Sequence, residues 1–498
     1  MTIFDPVQTY AQSSPKSVAI VDIETDRQWT YLQLDKTINR LASWIVDEFG
    51  GQSETRLTTL SKNCAEMLIL QLACSRAGAI FVPFNWRLAS AEIEALASDA
   101  EPKIVFHDPD MTPPDAKGIL VSEMLNLGHD GAKPPKSARR PFDAVSTLLY
   151  TSGTSGRPKG VMLSEANSFW GCSNLIYGND VTKRSVFLCD MPLFHTAGLF
   201  AAARTPLQAG GAVHISHGFD PQKTLQRLSD PKRSVSHYFS VPQMAATLWN
   251  QPEFDAKKLH NIDAWAIGGA PNPKAQSERF VRAGIRISEG FGMSETGSNF
   301  AMPPDDLEVL LRKAGSCGIP LMMIEAKIVD DEGNEVPNGQ RGELWLRGPS
   351  IASGYWNQPE LTAKSFPDGW FITGDTATCD EDGFYKIVDR KKDMYISGGE
   401  NVYPAEVEAV IAEMAEVGEC AVVGVPDERW GEVGRVYIIP VPGQSVTADE
   451  VIDHCAARLA KFKVPKTAEV TDTIPRTASG KVQKHLLKAR AIEELATP

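Results

Sequence analysis

The chain has 498 residues, enough for two or three domains. Its 42% apolar and 23% charged residues are ordinary globular composition, which excludes disorder as the main state. Acidic residues outnumber basic ones, 63 to 50, and the resulting formal charge of −13 argues against a general nucleic-acid binder while leaving room for a small anion in a local positive pocket.

In chain order, Val18 to Ile23 reads as a short apolar strand. Thr30 with Gln33 forms a capping box, after which Leu34, Ile38, Leu41 and Ile45 recur at helical spacing. Cys64 to Ala77 reads as a second helix stopped by Gly78, and Ala79 to Pro83 as the strand that follows. This alternation predicts an α/β fold whose sheets are covered by helices. Lys133 to Pro141 is a polar, proline-bearing surface connection ahead of a buried strand, Val145 to Tyr150. A charged break at Asp389 to Asp393 precedes a compact pattern of its own. There Pro404 suits a first helical turn, and Val407, Val410, Ile411 and Met414 mark a buried face. Cys420 to Val425 and Val436 to Val441 read as strands, and Thr447 with Glu450 as another capping box. The expected division is residues 1–389, a short hinge at 390–394, and a small domain at 395–498.

No stretch reaches the roughly 18 uninterrupted apolar residues of a spanning helix. Met67 to Phe84 comes nearest and contains Gln71, Ser75 and Arg76. The N-terminus lacks a basic region followed by an apolar core, so no signal peptide is expected. Eight cysteines without any C-x-x-C spacing read as reduced thiols of a cytoplasmic protein. His214 and His217 have no third ligand in view and read as structural.

The strongest local signal is Thr151 to Gly160, TSGTSGRPKG, directly after a buried strand. Gly153, Gly156 and Gly160 let backbone approach an anion. Thr151, Ser152, Thr154 and Ser155 offer hydroxyls, and Lys159 adds positive charge. This predicts a phosphate loop. It is not a Walker loop, because Lys159 is followed by glycine rather than Ser or Thr.

Further motifs follow in order: MPLFHTAG (191–198), GGAP (268–271), EGFGMSETG (289–297), GELWLRG (342–348), WFITGD (370–375), DRKKDMYISGGENVYPAEVE (389–408) and PRTASGK (475–481). Over nearly its whole length the sequence resembles the adenylate-forming superfamily of acyl-CoA synthetases, luciferases and carrier-protein adenylation domains. The resemblance implies a large N-terminal domain of α/β subdomains with a small mobile C-terminal α+β domain. It implies an adenine pocket of Gly269, Ala270 and Pro271 against Phe291, within the nucleotide-binding run Glu289, Gly290, Phe291, Gly292, Met293 and Ser294. Phe291 stands where the family often has tyrosine, which keeps a stacking surface and loses a hydroxyl. Glu295 matches the magnesium glutamate, in keeping with a hard cation held by few carboxylates and by phosphates. Asp375 matches the ribose-binding carboxylate, with Arg390 beside it and Ile387 in the same nucleotide set. Lys481 matches the catalytic lysine of the first half-reaction, Lys392 the hinge, and Gly398 and Gly399 the CoA side. His195 falls near the substrate carboxylate, and some relatives are acetylated at the Lys481 position.

The implied activity is an AMP-forming acid–CoA ligase. ATP and a carboxylate give an acyl-adenylate and pyrophosphate, and CoA then gives acyl-CoA and AMP, with Mg2+ required. Intact Lys481, Glu295 and Asp375 argue against a non-catalytic nucleotide sensor. A free-standing adenylation enzyme that loads a carrier protein stays open, and a luciferase-like oxidase has no support beyond shared ancestry. The acyl pocket is expected around His195, Gly198, Ser240, Val241, Gly268, Gly292, Gly297 and Ser298, the small residues leaving room. Few charges in these segments argue against a dicarboxylate such as malonate. The overall pattern resembles medium- and long-chain fatty acyl-CoA synthetases and hydroxycinnamoyl-CoA synthetases alike, which implies a fatty acid or a hydroxycinnamate such as ferulate or coumarate; both need an apolar slot, so the motifs leave chain or ring open. The resemblance implies a monomer or homodimer.

Overall fold

The computed structural model describes residues 5–50, 54–133, 135, 141–151, 158–270, 272–390, 393–397, 400–477 and 480–496, apart from the side chains of Arg390, Asn401 and Ala496. Among these residues lie four sheets. The first has six strands in the spatial order 117–120, 104–107, 56–60, 80–83, 145–151 and 159–164. It is parallel except for its last pair. The second has nine strands, with a parallel centre built from 18–22, 212–215, 186–189, 237–240, 264–267 and 287–293 and antiparallel strands at both edges. A four-stranded antiparallel sheet, 325–329, 342–347, 371–379 and 385–390, completes the large N-terminal domain. A five-stranded sheet belongs to the small C-terminal domain. Its long hairpin, Val417–Asp427 with Gly431–Pro440, carries the parallel strand Thr467–Val470 on its edge.

Local chemistry explains many of these elements. Thr30 and Gln33 exchange both bonds of a capping box, and Leu34, Ile38, Leu41 and Ile45 are buried. The helix Ala65–Ala77 ends at Gly78, whose φ of 76° is the left-handed stop that glycine adopts without a Cβ penalty. This helix is buried nearly all round, including Glu66 and Gln71, and its apolar side chains join one core with residues of both large sheets. The apolar run from Met67 is therefore a layer between two sheets. Among the described residues no helix is long and apolar enough to cross a membrane. All eight cysteines are free thiols.

In the small domain Pro404 opens the helix Pro404–Ile411, whose Val407 and Ile411 are fully buried. Thr447 and Glu450 form the second capping box. The last helix begins at Lys484, just after Val482 pairs with Arg476 in an antiparallel bridge. Of the connection Lys133 to Pro141, residues 134 and 136–140 lie outside the described residues.

Candidate active site

Ligands of parallel α/β sheets sit beyond the carboxyl ends of the strands, and the candidate residues gather there. Ser240 and Val241 end the strand 237–240, Gly268 to Ala270 follow 264–267, and His195 follows 186–189. The strand Ile287–Met293 turns back into Gly297–Ala301 as a hairpin with a register shift between Phe291 and Gly292. Glycine is dictated at this turn by backbone contact. A Cβ on Gly292 would stand 2.2 Å from the carbonyl oxygen of Gly297, and Gly297 itself has φ of 65°. Gly198 is set the same way, 2.1 Å from the carbonyl oxygen of Pro192. Gly292 and Gly198 thus serve tight backbone packing, where an open pocket was the expectation.

The phosphate-loop segment joins two antiparallel strands, Val145–Thr151 and Lys159–Ser164, with Thr151 directly opposite Lys159. Ser152, Gly153, Thr154, Ser155 and Gly156 lie outside the described residues, as do Pro271, Lys392, Gly398 and Gly399. Lys159 projects its ammonium over the ring of Tyr355, 5.3 Å from the centroid. The Tyr355 hydroxyl donates to Oε1 of buried Glu295 at 3.0 Å. One aromatic side chain thereby ties the loop lysine to the hairpin glutamate.

Among the described residues Oε2 of Glu295 takes no hydrogen bond, and no cluster of three or more His, Cys, Asp or Glu could hold a metal alone. A single carboxylate with one oxygen to spare fits magnesium that is otherwise held by nucleotide phosphates and water.

Glu289 is buried at the root of the hairpin. Its Oε1 accepts from the Ser277 hydroxyl and, at 3.2 Å, from the Gly315 N–H. Burial pushes its carboxyl up to about 7 against the pull of these donors. Phe291 is half-buried and stands edge-on to Phe300. Gly269, with φ of 86°, and Ala270 are exposed at the end of their strand. Asp375 is buried, its backbone N–H donating at 3.0 Å to the Thr373 hydroxyl. It is the register partner of Arg390 on the neighbouring strand, so the two ribose candidates are adjacent in space. Ile387 lies on the same strand as Arg390, three residues earlier and opposite Ala377, packed against the core that contains Phe300.

The small domain brings Lys481 to this face. Lys481 sits on a tight loop in which its N–H donates to the Thr477 hydroxyl at 3.1 Å and its carbonyl accepts from the Thr477 N–H at 2.7 Å. Its charge reaches His195. Burial, then the charges of Lys481 and Arg87, lower the imidazole to about 3, so His195 is neutral at working pH. His195 therefore offers a hydrogen bond rather than a positive charge to a carboxylate. Among the described residues its Nε2 has no partner.

Behind the hairpin is a void of about 20 Å3, bordered by Gly171 and Leu175 of the helix Glu165–Gly178, by Phe200 and Ala201, and by Gly297 and Ser298. No charged side chain lines it. Ser240 faces away, accepting from Trp265 Nε1 at 2.8 Å in the core on the far side of its sheet. Phe200 and Ala201 belong to a π-helical stretch, Ala197–Arg204, in which the Thr205 N–H reaches back to the Phe200 carbonyl. Such widened turns are common at functional sites. Its end is pinned by Arg204, which grips Glu165 in a buried two-point pair at 2.9 and 3.2 Å. The void-lining residues Gly171, Leu175, Phe200 and Ala201, and Tyr355 with them, escape motif reading because they carry no reactive group.

The chain matches the AMP-binding enzyme family over residues 7–356 and the C-terminal domain of that family over residues 406–481. It therefore belongs to the AMP-binding enzymes, and it is an AMP-forming acid–thiol ligase. Enzymes of this family use ATP with Mg2+ and CoA as co-substrate. It is 36% identical to a feruloyl-CoA synthase of an Amycolatopsis species over 484 residues, 96% of this chain and 97% of that one. It is 31% identical to the long-chain-fatty-acid–CoA ligase FadD13 of Mycobacterium tuberculosis, covering 96% of each. Among solved structures it resembles the o-succinylbenzoate CoA synthetase MenE of Bacillus subtilis in complex with its acyl-adenylate, with a TM-score of 0.87 at 30% identity, covering 98% of this chain and 99% of that one. Against a double mutant of the same enzyme bound to its product analogue OSB-NCoA the TM-score is 0.70, at 30% identity and 97% of each chain.

Proposed function

We propose that the acid is an aryl-propenoate of the hydroxycinnamate class, activated by ATP and transferred to CoA. The observation that carries this reading is the uncharged border of the void behind the 287–301 hairpin, where apolar side chains alternate with neutral polar ones and no cation stands ready to pair with a second carboxylate. The full-length similarity to feruloyl-CoA synthase supports a ring over a simple chain.

In the first step a carboxylate oxygen attacks the α-phosphorus of ATP and the bond to the pyrophosphate oxygen breaks. Lys159 and Lys481 supply positive charge where the phosphate oxygens and the entering carboxylate crowd together. Gly269, Ala270 and Phe291 flank the adenine, and Asp375 accepts from the ribose hydroxyls. Glu295 would hold magnesium, which neutralises phosphate charge when bound. Neutral His195 orients the acid. In the second step the CoA sulfur attacks the acyl carbon and AMP leaves. The higher similarity to the adenylate-bound relative than to the product-bound one supports an arrangement suited to the first step. The small domain turns about Lys392 between steps, presenting Gly398 and Gly399 to the thiol.

The test is CoA-dependent AMP release over coumarate, ferulate, cinnamate, fatty acids of graded length and malonate. Aryl acids should show the highest kcat/KM, and a fatty acid leading the panel would overturn the assignment. Lys481→Ala should lower adenylation by about 100- to 1,000-fold while sparing thioester formation from supplied acyl-adenylate. Equal loss in both steps would remove Lys481 from the first.

A further inference from the structure

A second void of about 10 Å3 lies deeper in the large domain, and it shares two lining residues, Leu175 and Ala201, with the void behind the hairpin. The two adjoin along one line, the slot, with those two side chains common to both borders. Its far end is bordered by Asn179, Phe187, His237 and Phe239.

The far end is polar in one place. Asn179 is 5% exposed. Its Nδ2 donates to the Leu175 carbonyl at 3.4 Å, which fixes the turn of the amide, and its Oδ1 accepts no hydrogen bond among the described residues. His237 cannot supply one. Its Nε2 donates to the Asn179 backbone carbonyl at 2.9 Å, its Nδ1 meets the Ser236 hydroxyl at 2.8 Å, and its ring stacks on Phe187 at 4.7 Å. Burial lowers the His237 imidazole, so the pair stays neutral. A buried amide oxygen left over inside an otherwise satisfied, aromatic-walled chamber is an acceptor awaiting a donor.

Spacing along the helix gives the reach. Gly171 and Leu175 share one face of the helix, and Asn179 follows four residues on as its C-cap, its N–H donating to the Leu175 carbonyl. Gly171 packs against Gly297 at the hairpin, where a Cβ on Gly297 would stand 3.4 Å from the Gly171 Cα. Eight residues of helix span about 12 Å, the length of a hydroxycinnamate from its carboxyl group to the partner of its para oxygen. Voids of about 20 and 10 Å3 are too small for a ring, so occupancy of the slot requires Leu175 and Phe200 to swing aside.

Resting on the aryl-acid reading above, we propose that Asn179 is a specificity-determining residue whose Oδ1 accepts a hydrogen bond from a hydroxyl at the distal end of the acid. The slot is then built for a para-hydroxylated ring, because rejecting the analogue without the hydroxyl follows from leaving Oδ1 unpaired.

The experiment is kcat/KM for 4-coumarate and cinnamate, compared as a ratio within each variant so that any loss of folded enzyme cancels. The wild-type enzyme should favour 4-coumarate by about tenfold or more. Asn179→Leu, similar in size and without an acceptor, should bring the ratio down to near one. Asn179→Thr, which keeps an acceptor oxygen, should hold an intermediate ratio. An unchanged ratio in Asn179→Leu with both acids still turned over would overturn the distal contact alone, as would a wild-type preference for cinnamate. Turnover of neither acid by the wild type would overturn the aryl reading and the distal contact with it.

Discussion

Glu289→Gln isolates the energetics at the root of the nucleotide hairpin. In the folded chain burial pushes the Glu289 carboxyl up to about 7 from the ordinary value of 4.5, which approximates the unfolded chain. The folded state then binds more protons than the unfolded state between those values. Stability contributed by the protonated group is fully present below about pH 4.5 and is lost as pH rises to about 7. The interval corresponds to about 3 kcal/mol at about 1.4 kcal/mol per unit. Glutamine mimics the neutral carboxyl, and its Oε1 can still accept from Ser277 and from the Gly315 N–H. The variant and the wild type should therefore have matching stability near pH 4.5. The advantage of the variant should grow to about 3 kcal/mol by pH 7 and stay level above it. Thermal melting across pH 4.5 to 8 reads this as a difference curve, with a full rise of roughly 3–6 °C for a chain of this length. Taking the difference removes the opposite slope that buried His195 gives both proteins. A flat difference curve, or an advantage that shrinks with pH, would refute the reasoning.

Tyr355→Phe keeps the ring under Lys159 and removes the hydroxyl from Glu295. The concentration of Mg2+ needed for half-maximal adenylation should rise about fivefold, the equivalent of one hydrogen bond, with little change in the response to the acid. Initial-rate titrations with magnesium at saturating acid check this. Arg204→Met strands Glu165 in the core and should cost about 3–5 kcal/mol, whereas adding Glu165→Leu should restore most of it. Denaturant melts of the single and double variants measure the difference.

Elements whose signals are local were legible from sequence. The capping boxes at Thr30 and Thr447 and the stop at Gly78 depend on residues within one turn of helix, and each is present. The glycines were legible as glycines but not in purpose. Whether Gly292 makes room or avoids a collision depends on the Gly297 carbonyl across a hairpin whose register shifts at that point. Side-chain direction on the strand 237–240 was lost for a related reason. Alternation sends Ser240 to Trp265 and His237 with Phe239 to the slot, and a one-residue error in parity exchanges the faces. AGLFAAAR reads as ordinary α-helix, since nothing in alanine or leucine announces a π turn; the wider turn comes with the Arg204–Glu165 pair, whose partners are 39 residues apart.

The join between the two domains has the character of a contact made to be broken. Asp389, on the last strand of the four-stranded sheet, accepts from the Ala405 N–H at 2.8 Å at the start of the first small-domain helix. Arg341 lies over the Tyr403 ring at 5.0 Å and meets Glu406 at 3.5 Å with both side chains partly exposed, an ion pair worth no more than about 1 kcal/mol. Within the small domain the bonds are of another kind. Glu408 binds the largely buried Lys484 at 2.8 Å and the Val422 N–H at 2.7 Å, joining its first and last helices and the hairpin strand Val417–Asp427. The proposed rotation would exchange these few polar contacts and leave the bonds within the small domain intact. Lys481, fixed by its own backbone bonds to Thr477, travels with that unit. On the proposed turn of the small domain, the Lys481 charge that lowers the His195 imidazole would leave with it, so the lysine proposed for the first step would be withdrawn by the motion proposed to admit the thiol.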